Sequence, residues 1–566
     1  MVRELLAGLL TRPWGQVSPS VYETGRLVSL APWLAGHSQR VQYLLDTQRP
    51  DGLWGAPGAY SVVPTLSAVE ALLTVLRSHT GGTAPGRHGT ASGPNEAVRD
   101  QNGAVPELRS GVACSLDRAL APLLRRLPAL NFGMFPDLPA SDLVVSSLVG
   151  SINRHLDRLG GSAAPLAGRL PAGARLGNPR GLDGGRLAKM RTALIAGISL
   201  PEKVLHALEV ASDLAGGART VRPGSTGAIG ASPAATAAWL GGRLDGWRDG
   251  RRAPDPRHPA RLFLEAVSDD HAGPVPCGFP ITVFERAWVL STLARAGVVS
   301  TAPAALLDSL DTALGPAGTP AAEGLPADAD TTSATLYALG LLGVTRPPEA
   351  LWTYETPTHF CTWPGEGGFS ITVNAHVLEA FGQYLHNVLG GGEPLPASVP
   401  RYTKAVAKLV TLLCDQQRAD GSWVDRWHAS PYYATLCCVA ALSRFGGARA
   451  AGVLELARAW VLETQHPDGS WGLWNGTAEE TAYALQILLP SPGETEGPEP
   501  TERYMESITR GYKFLPALSV GSANEDMRGP ALWHDKDLYL PVAIVRASVL
   551  AARHLASKYA PITDRS

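Results

Sequence analysis

Apolar residues recur at helical spacing on both sides of a short polar turn at three places in the chain. The turns read "QRPDGLWG" from Gln48, "QRADGSWV" from Gln417 and "QHPDGSWG" from Gln465, and they share the pattern Gln-x-x-Asp-Gly-x-Trp. Flanking segments such as "AVAKLVTLLCDQQ" and "YYATLCCVAALSRF" have the periodicity of helices. An Asp-Gly turn lets the chain reverse, and the Gln and Trp can hold it by hydrogen bonding and stacking. The pattern predicts an all-α fold of helical hairpins arranged as an α/α toroid.

Composition restricts the class of protein. The chain has 566 residues, 45% hydrophobic and 18% charged, which is typical of a globular protein with two or more domains. Its net charge of -2 gives no general attraction for nucleic acid or an anionic membrane. The six scattered cysteines indicate a reducing compartment rather than a disulfide framework. The N-terminal "MVRELLAGLLTRPWGQ" predicts an amphipathic helix and not a signal peptide. We therefore expect a cytoplasmic protein without an integral membrane segment, and its oligomeric state stays open.

Two aspartates open an almost wholly apolar segment, "LPADADTTSATLYALGLLG", which begins at Leu325. Asp330 and Thr331 are both common helix N-caps, so one interpretation is a capped helix start. The other is chemical, because a buried carboxyl group beside a second carboxylate tends to keep its proton near neutral pH. Such an acid can protonate an alkene if the surroundings exclude water.

The same motifs carry a resemblance. The three repeats resemble the QW motifs of terpene cyclases, and "DADTT" resembles the Asp-x-Asp-Asp motif of class II cyclases with Thr331 in the fourth place. The stretches "SPSVYETGRLVSL" from Ser18 and "CGFPITVFERAWVLSTLARAGV" from Cys277 are similar to segments of class II diterpene cyclases. The resemblance implies two α/α-barrel domains, with a γ domain inserted after the first helix of a β domain. We expect residues 1–30 and 271–566 in the β domain, and 31–270 in the γ domain with a flexible insertion at about 78–112.

Roles for individual residues follow from the resemblance. Asp330 is expected to protonate the terminal alkene of a linear prenyl diphosphate, and Asp328 to tune or reload it. Asn374, in "TVNAH", is the implied hydrogen-bonding partner of Asp330, although a helix N-cap is an equal alternative. About half of six nearby aromatic residues are expected to line the cavity and stabilise cations; they are Trp288, Phe360, Trp363, Trp427, Tyr432 and Tyr433.

The diphosphate is expected to survive the reaction. Class I enzymes ionise it with an Asp-Asp-x-x-Asp/Glu motif, and "SDDHAGP" at Ser268 lacks the distal carboxylate. Candidate diphosphate-binding residues are Arg26, Lys203, Lys536 and Tyr539. Mg²⁺ is expected to bind mainly through phosphate oxygens, with help from Glu23 or Asp142.

Other functions remain open at this point. The Asp-x-Asp-Thr-Thr variant resembles that of drimenyl diphosphate synthases, which favours farnesyl diphosphate as the substrate; the alternative is geranylgeranyl diphosphate and a copalyl-type product. A triterpene cyclase would ordinarily be longer and carry more QW repeats. A toroid glycosidase or a non-catalytic helical scaffold are more remote, and the zinc-ligand types His359, Cys361, Asp425 and His428 match no closed ligand set.

Overall fold

A computed structural model describes residues 1–78, 105–159, 173–216, 218–241, 254–391, 396–493, 501–516 and 529–559. The chain divides into two compact units. Unit 1 comprises Met1–Val17, Pro280–His534 and Leu540–Ser566, and unit 2 comprises Ser18–Phe279 and Asp535–Tyr539.

Unit 1 consists of an inner and an outer layer of helices. Its helices are α1 (Val2–Thr11), α12 (Thr282–Arg295), α13 (Ala304–Ala313), α14 (Ala329–Leu341), α15 (Ile371–Gly390), α16 (Val399–Asp415), α17 (Pro431–Phe445), α18 (Ala451–Glu463), α19 (Ala478–Leu488), α20 (Glu502–Phe514) and α21 (Val542–Ala556). Helices α12, α14, α15, α17, α19 and α21 each pack against the next, and α21 packs against α12. Helices α13, α16, α18 and α20 pack outside this closed inner ring, so unit 1 is an α/α barrel.

Burial distinguishes inner from outer helices. In α14 every residue from Thr331 to Leu339 is buried. This helix carries only apolar and hydroxyl-bearing side chains over that stretch, so each of its faces can pack against a neighbour. In α16 burial falls on one stripe that includes Tyr402, Ala405, Leu409 and Leu413, at the spacing of an amphipathic helix. Short strands β1 (Thr319–Pro320) and β2 (Ala327–Asp328) pair antiparallel just before α14. Short 3-10 segments lie at Glu349–Tyr354 and Gly447–Ala450, and β3 is Trp533–His534.

Unit 2 is a second helical barrel. Its helices are α2 (Val21–Leu30), α3 (His37–Asp46), α4 (Val62–Ser78), α5 (Val105–Arg126), α6 (Ser141–Leu159), α7 (Gly185–Ile195), α8 (Glu202–Leu205), α9 (Ser212–Ala215), α10 (Pro233–Gly241) and α11 (Pro259–Asp270), with 3-10 segments at Gly58–Ser61, Leu127–Ala129, Phe132–Met134 and Leu208–Ala211, and strand β4 at Leu538–Tyr539. Helices α10, α2, α4 and α6 pack in succession, and the segment Leu208–Ala211 packs against both α6 and α10. Helices α3, α5, α7 and α11 pack outside them.

The three QW turns have one geometry. In the second copy Gln417 Nε2 donates to the carbonyls of Gly421 (2.9 Å) and Val453 (2.8 Å), and Trp423 Nε1 donates to the carbonyl of Leu413 (2.9 Å). Gln48 and Gln465 make the same two kinds of bond. The turn glycine has φ of 93° at Gly421, and a Cβ there would lie 2.4 Å from a backbone oxygen. The predicted hydrogen-bonding role of the repeats is confirmed: the Gln links its turn to the next outer helix.

The unit boundaries differ from the predicted ones. The chain leaves unit 1 at Val17 rather than at residue 30, and it returns at Pro280 rather than at 271. Residues 535–539 also belong to unit 2, which no sequence pattern indicated. Most of the predicted insertion at 78–112 lies outside the described residues, and α5 begins within it at Val105. Among the described residues one helical stretch, Gly58–Arg77, has the length and apolarity to span a membrane, and 83% of its apolar window is buried inside the protein, as in a core helix.

Candidate active site

The first turn of α14 gives the two aspartates different surroundings. The helix begins at Ala329, and Asp328 is its N-cap: Asp328 Oδ1 accepts the Thr331 N–H (2.6 Å) and Oδ2 accepts the Thr331 hydroxyl (3.0 Å). The predicted cap residues Asp330 and Thr331 therefore lie inside the helix, and the threonine in the fourth place of the motif binds Asp328. Asp330 is left with its carboxylate directed elsewhere.

Asp330 is paired with a histidine of the next inner helix. His376 Nδ1, on α15, lies 2.6 Å from Asp330 Oδ1, and the side chains are 9% and 16% exposed. Burial alone would lower the pKa of His376, but the adjacent Asp330 carboxylate, with the neighbouring Cys437, raises it well above its ordinary value. The imidazole is therefore an imidazolium that donates a charge-assisted hydrogen bond to Asp330.

Asp328 holds a proton at neutral pH. Its burial raises the pKa to about 8, and the charge of Asp330 acts in the same direction, while the hydrogen bonds from Thr331 oppose both. The expected coupling of the two carboxyl groups is present in the structure, with Asp328 as the neutral member beside an ion pair.

Asn374 does not contact Asp330 as predicted. Its Oδ1 accepts the Phe360 N–H (2.8 Å), and its Nδ2 donates to the carbonyls of Phe360 (3.0 Å) and Ser370 (2.7 Å). It is not the helix cap either, because Ser370 caps α15. The amide is buried and fully engaged by backbone groups, so the partner of Asp330 is the histidine two residues further on. His376 stands in the same "TVNAH" stretch, and its ionisable ring was the available signal.

The inner helices of unit 1 line a partly open cavity. Its walls come from α12, α14, α15, α17, α19 and α21, and the lining residues are Trp288, Ser291, Thr292, Arg295, Ala334, Tyr337, His376, Glu379, Tyr433, Leu436, Cys437, Tyr483, Ile544 and Ser548. Trp288 Nε1 donates to the Tyr433 hydroxyl (2.9 Å), and the Trp288 ring meets the His376 ring edge to face at 5.3 Å. Aromatic rings thus stand directly beside the partner of the acid.

Two of the six predicted aromatic residues line this cavity, Trp288 and Tyr433. Phe360 packs against Phe381, and Tyr432 packs against Trp460. Trp363 and Trp427 contact each other outside the cavity lining, with ring centroids 5.5 Å apart. Tyr337 and Tyr483 also line the cavity and were not predicted to do so. Each stands within an inner helix, where a tyrosine in the sequence indicates only core packing.

The predicted diphosphate-binding cations in unit 2 are mostly committed to carboxylates. Lys536 is buried, and its Nζ lies 2.5 Å from Glu23 Oε1 and 2.9 Å from Glu209 Oε1. Arg26 is buried against Glu70, at 2.5 Å. Buried cations need such partners because desolvation is costly. The structure thus places Arg26 and Lys536 in buried ion pairs. Lys203 is exposed on α8, and Tyr539 is buried.

The predicted magnesium ligands both have protein partners in the structure. Glu23 accepts bonds from the Ser232 hydroxyl and the Ala234 N–H in addition to Lys536, so its carboxylate is saturated. Asp142 pairs with Arg186 at 2.9 Å. Over the described ranges, no three His, Cys, Asp or Glu side chains form a group able to hold a metal ion. The zinc-ligand types also have separate partners, since Asp425 accepts from Ser370 and His428 lies against Glu479.

The chain is similar to known proteins over almost its whole length. A family model described as the squalene-hopene cyclase C-terminal domain matches residues 373–489. The chain is similar to an ent-copalyl diphosphate synthase of a Streptomyces species, with 40% identity over 557 residues that cover 97% of this chain and 94% of the relative. It is also similar to a labda-7,13-dienyl diphosphate synthase of Streptomyces clavuligerus, with 39% identity over 550 residues, 97% of this chain and 91% of the relative. The solved structure of ent-copalyl diphosphate synthase from Streptomyces platensis has 40% identity and a TM-score of 0.82, and the match covers 98% of this chain and 99% of that one.

Proposed function

Because the chain belongs to the class II terpene cyclases, we propose that it cyclises geranylgeranyl diphosphate to a bicyclic, labdane-type diphosphate of the copalyl kind. The observation that carries this proposal is full-length similarity to enzymes named for copalyl and labdadienyl diphosphates, joined to an acid site of matching chemistry. The fifteen-carbon reading, farnesyl to drimenyl diphosphate, rested on Thr331 alone. The relatives favour the twenty-carbon alternative.

The acid step follows from the Asp330 and His376 geometry. Asp330 Oδ1 accepts the imidazolium bond, so Oδ2 is the oxygen that receives the transferable proton, and the protonated neighbour Asp328 loads it before each turnover. This proton adds to the terminal carbon–carbon double bond, whose π electrons form the new C–H bond and leave a tertiary cation. The imidazolium stabilises the carboxylate that remains, which lowers the barrier to proton loss. His376 thus strengthens the acid without contacting the substrate carbon.

Ring closure needs an environment that attracts cations and does not trap them. The next two double bonds along the chain each attack the preceding cation and close one ring, while the allylic double bond beside the diphosphate stays unreacted. Transfer of a proton from a carbon next to the final cation to a base ends the sequence. We place the polyene against the aromatic side chains beside His376, namely Trp288 and Tyr433, because π faces stabilise positive charge without a nucleophilic lone pair. The C–O bond to the diphosphate takes no part, so the diphosphate is retained.

The remaining assignments stay predictions. Lys203 and Tyr539 are the diphosphate-binding candidates left after Arg26 and Lys536 are assigned to ion pairs, and a Lys203→Ala variant should raise KM more than it lowers kcat if that assignment holds. We propose that any Mg²⁺ enters with the diphosphate rather than on Glu23 or Asp142. A cytoplasmic location is proposed from composition, and cell fractionation tests it.

A competition assay tests the substrate. Equal concentrations of geranylgeranyl and farnesyl diphosphate are incubated with the protein, and the products are dephosphorylated and identified by mass. We expect a labdane-type twenty-carbon alcohol to dominate. A drimane alcohol as the main product would restore the fifteen-carbon reading, and the absence of any cyclic alcohol from either substrate would overturn the proposed function.

A further inference from the structure

A buried carboxylate in unit 1 collects three ring donors on one oxygen. Glu479 Oε1, in the first turn of α19, accepts bonds from Trp533 Nε1 (2.8 Å) and the Tyr483 hydroxyl (2.9 Å), and it lies 3.2 Å from His428 Nε2. The glutamate is 4% exposed and His428 is 2% exposed. A carboxylate in such a place costs desolvation free energy, so its retention needs a reason.

The hydrogen bonds of His428 fix its protonation state. His428 Nδ1 accepts the Ser430 N–H at 3.0 Å, so the ring proton is on Nε2 and points at Glu479. A neutral imidazole, an indole and a phenol are thus the groups bonded to Glu479 Oε1 within the part of the chain that the structure describes. The network keeps a net negative charge.

Tyr433, Tyr483 and Trp533 form an aromatic wall. Its rings connect Glu479, through Trp288, to His376. The Tyr433 ring is stacked on His428 at 4.5 Å and lies 4.7 Å from the Trp533 ring. Its hydroxyl accepts the Trp288 N–H, and Trp288 meets His376, the partner of Asp330. Tyr433 and Tyr483 also line the cavity beside His376, while Glu479 is not among the lining residues. The carboxylate binds Tyr483, which lines the cavity, and does not line the cavity itself.

This placement separates charge from nucleophilicity. A carboxylate in direct contact with a carbocation would capture it or remove a proton from it. A carboxylate behind aromatic rings still attracts the cation across a few ångströms of low-dielectric material, and its bonds to N–H and O–H groups draw electron density towards the ring faces. Burial and the charge of Glu479 both raise the pKa of Tyr483 well above its ordinary value, as expected for a phenol that faces a fixed negative charge.

We propose that Glu479 is a positioning residue for cyclisation, which supplies a fixed negative charge behind the Tyr433, Tyr483 and Trp533 wall and so stabilises the carbocations formed after protonation by Asp330. The inference rests on the proposed function, since it concerns the cations of that reaction. It adds a residue that does not touch the substrate and is not part of the acid.

All three donors converge on Glu479 Oε1, so a substitution can remove the charge and keep the hydrogen bonds. In Glu479→Gln the amide oxygen can keep the three hydrogen bonds while the charge is lost. We expect kcat to fall about tenfold or more, corresponding to one or two kcal/mol of lost cation stabilisation, with KM nearly unchanged. We also expect a larger share of monocyclic or hydroxylated products, because a less stabilised cation loses a proton or meets water before the second ring closes.

The adjacent residue offers a matched control. Glu480 is also buried in the first turn of α19, but its carboxylate accepts from the hydroxyls of Ser430 and Thr477 and from the Leu473 N–H. Glu480→Gln makes the same carboxyl-to-amide change without touching the wall, and its product pattern should match the wild type. An equal change in both variants, or wild-type kcat and products in Glu479→Gln, would overturn the inference.

If Glu479→Gln does not fold, two other variants test the same role. The wild-type protein separates this inference from the proposed function. Trp533→Phe and Tyr483→Phe each remove one donor and keep an aromatic ring at the position, so each should shift the products in the same direction. Wild-type products from both would contradict the role of Glu479. If the wild-type protein forms no cyclic diphosphate, the proposed function fails. If it does so and Glu479→Gln behaves identically, this inference alone fails.

Discussion

Asp328 and Asp330 are two residues apart, but only Asp328 caps the helix, and Asp330 lies within its first turn. Asp330→Asn therefore removes the transferable proton without removing a cap. We expect kcat to fall by about 10³-fold or more, the scale of general acid catalysis, while the melting temperature stays within a few degrees of the wild type. Product formation by mass spectrometry and circular dichroism melting measure the two quantities. Substantial cyclisation by a folded Asp330→Asn protein would remove Asp330 from the acid role.

The raised pKa of Asp328 predicts a pH dependence of stability. The folded pKa is about 8 against an ordinary value of 3.8, so between these limits the folded protein binds a proton that the unfolded chain has released. Stability must then decrease as pH rises through this window, by up to about 1.4 kcal/mol per pH unit from this group. Asp328→Asn keeps a good N-cap and removes the titration, so its melting temperature should depend less on pH from 5 to 8. Parallel curves for the two proteins would contradict the assignment.

His376 and Asn374 separate chemical from structural effects within one turn of α15. His376→Ala removes the imidazolium from Asp330, and we expect kcat to fall by about 10²-fold or more, a larger loss than the accompanying destabilisation explains. Asn374→Ala leaves the Phe360 backbone groups without their partner, so we expect a loss of about 1 to 3 kcal/mol in unfolding free energy and a smaller effect on kcat. Parallel assays of activity and denaturation compare them. A larger loss of kcat in Asn374→Ala would reverse the correction.

At the scale of elements, the QW turns are predicted to stabilise hairpins and not to take part in chemistry. Gln417→Ala leaves the carbonyls of Gly421 and Val453 without the amide donor, which should lower the unfolding free energy by about 1 to 2 kcal/mol. Gln465→Ala should cost a similar amount, because its bonds have nearly the same lengths. Urea denaturation measures both variants, and kcat should stay within about twofold of the wild type. A kcat loss without destabilisation would show that the turns have a further role.

The sequence allowed the helices to be predicted more reliably than the site. Repeats such as that at Gln417 are local, and their hydrophobic spacing and Asp-Gly turns determine hairpins without knowledge of distant contacts. Partner choice depends on contacts between distant segments: Lys536 meets Glu23, 513 positions away in sequence, and this turned a predicted phosphate ligand into a buried ion pair. The acid itself was predictable because both carboxyl groups stand within one motif. His376 was not, because its side chain reaches Asp330 only when α14 and α15 pack.

At the scale of the whole molecule, the chain begins in unit 1, passes through unit 2 from Ser18 to Phe279, and returns at Pro280 to complete the inner ring of unit 1. Asp330, His376 and Glu479 lie on helices of that ring, as do Tyr433 and Tyr483 of the aromatic wall, whereas Trp533 belongs to β3. The proposed proton delivery and cation stabilisation therefore both involve helices that pack directly against one another.

The last prediction concerns the atom balance of the full reaction in heavy water. Asp330 is 16% exposed at its side chain and pairs with an imidazolium, so its acidic proton exchanges with solvent between turnovers. The transferred atom should thus be deuterium, and each cyclic product should gain one deuterium at the carbon that was the protonated end of the polyene. Because protonation starts the reaction and no C–O bond breaks, the diphosphate should remain attached, and inorganic diphosphate should not accumulate with turnover. Mass spectrometry before and after phosphatase treatment, with a colorimetric assay for released diphosphate, measures both outcomes. Products without deuterium, or stoichiometric release of diphosphate, would show that ionisation rather than Asp330 initiates the cyclisation.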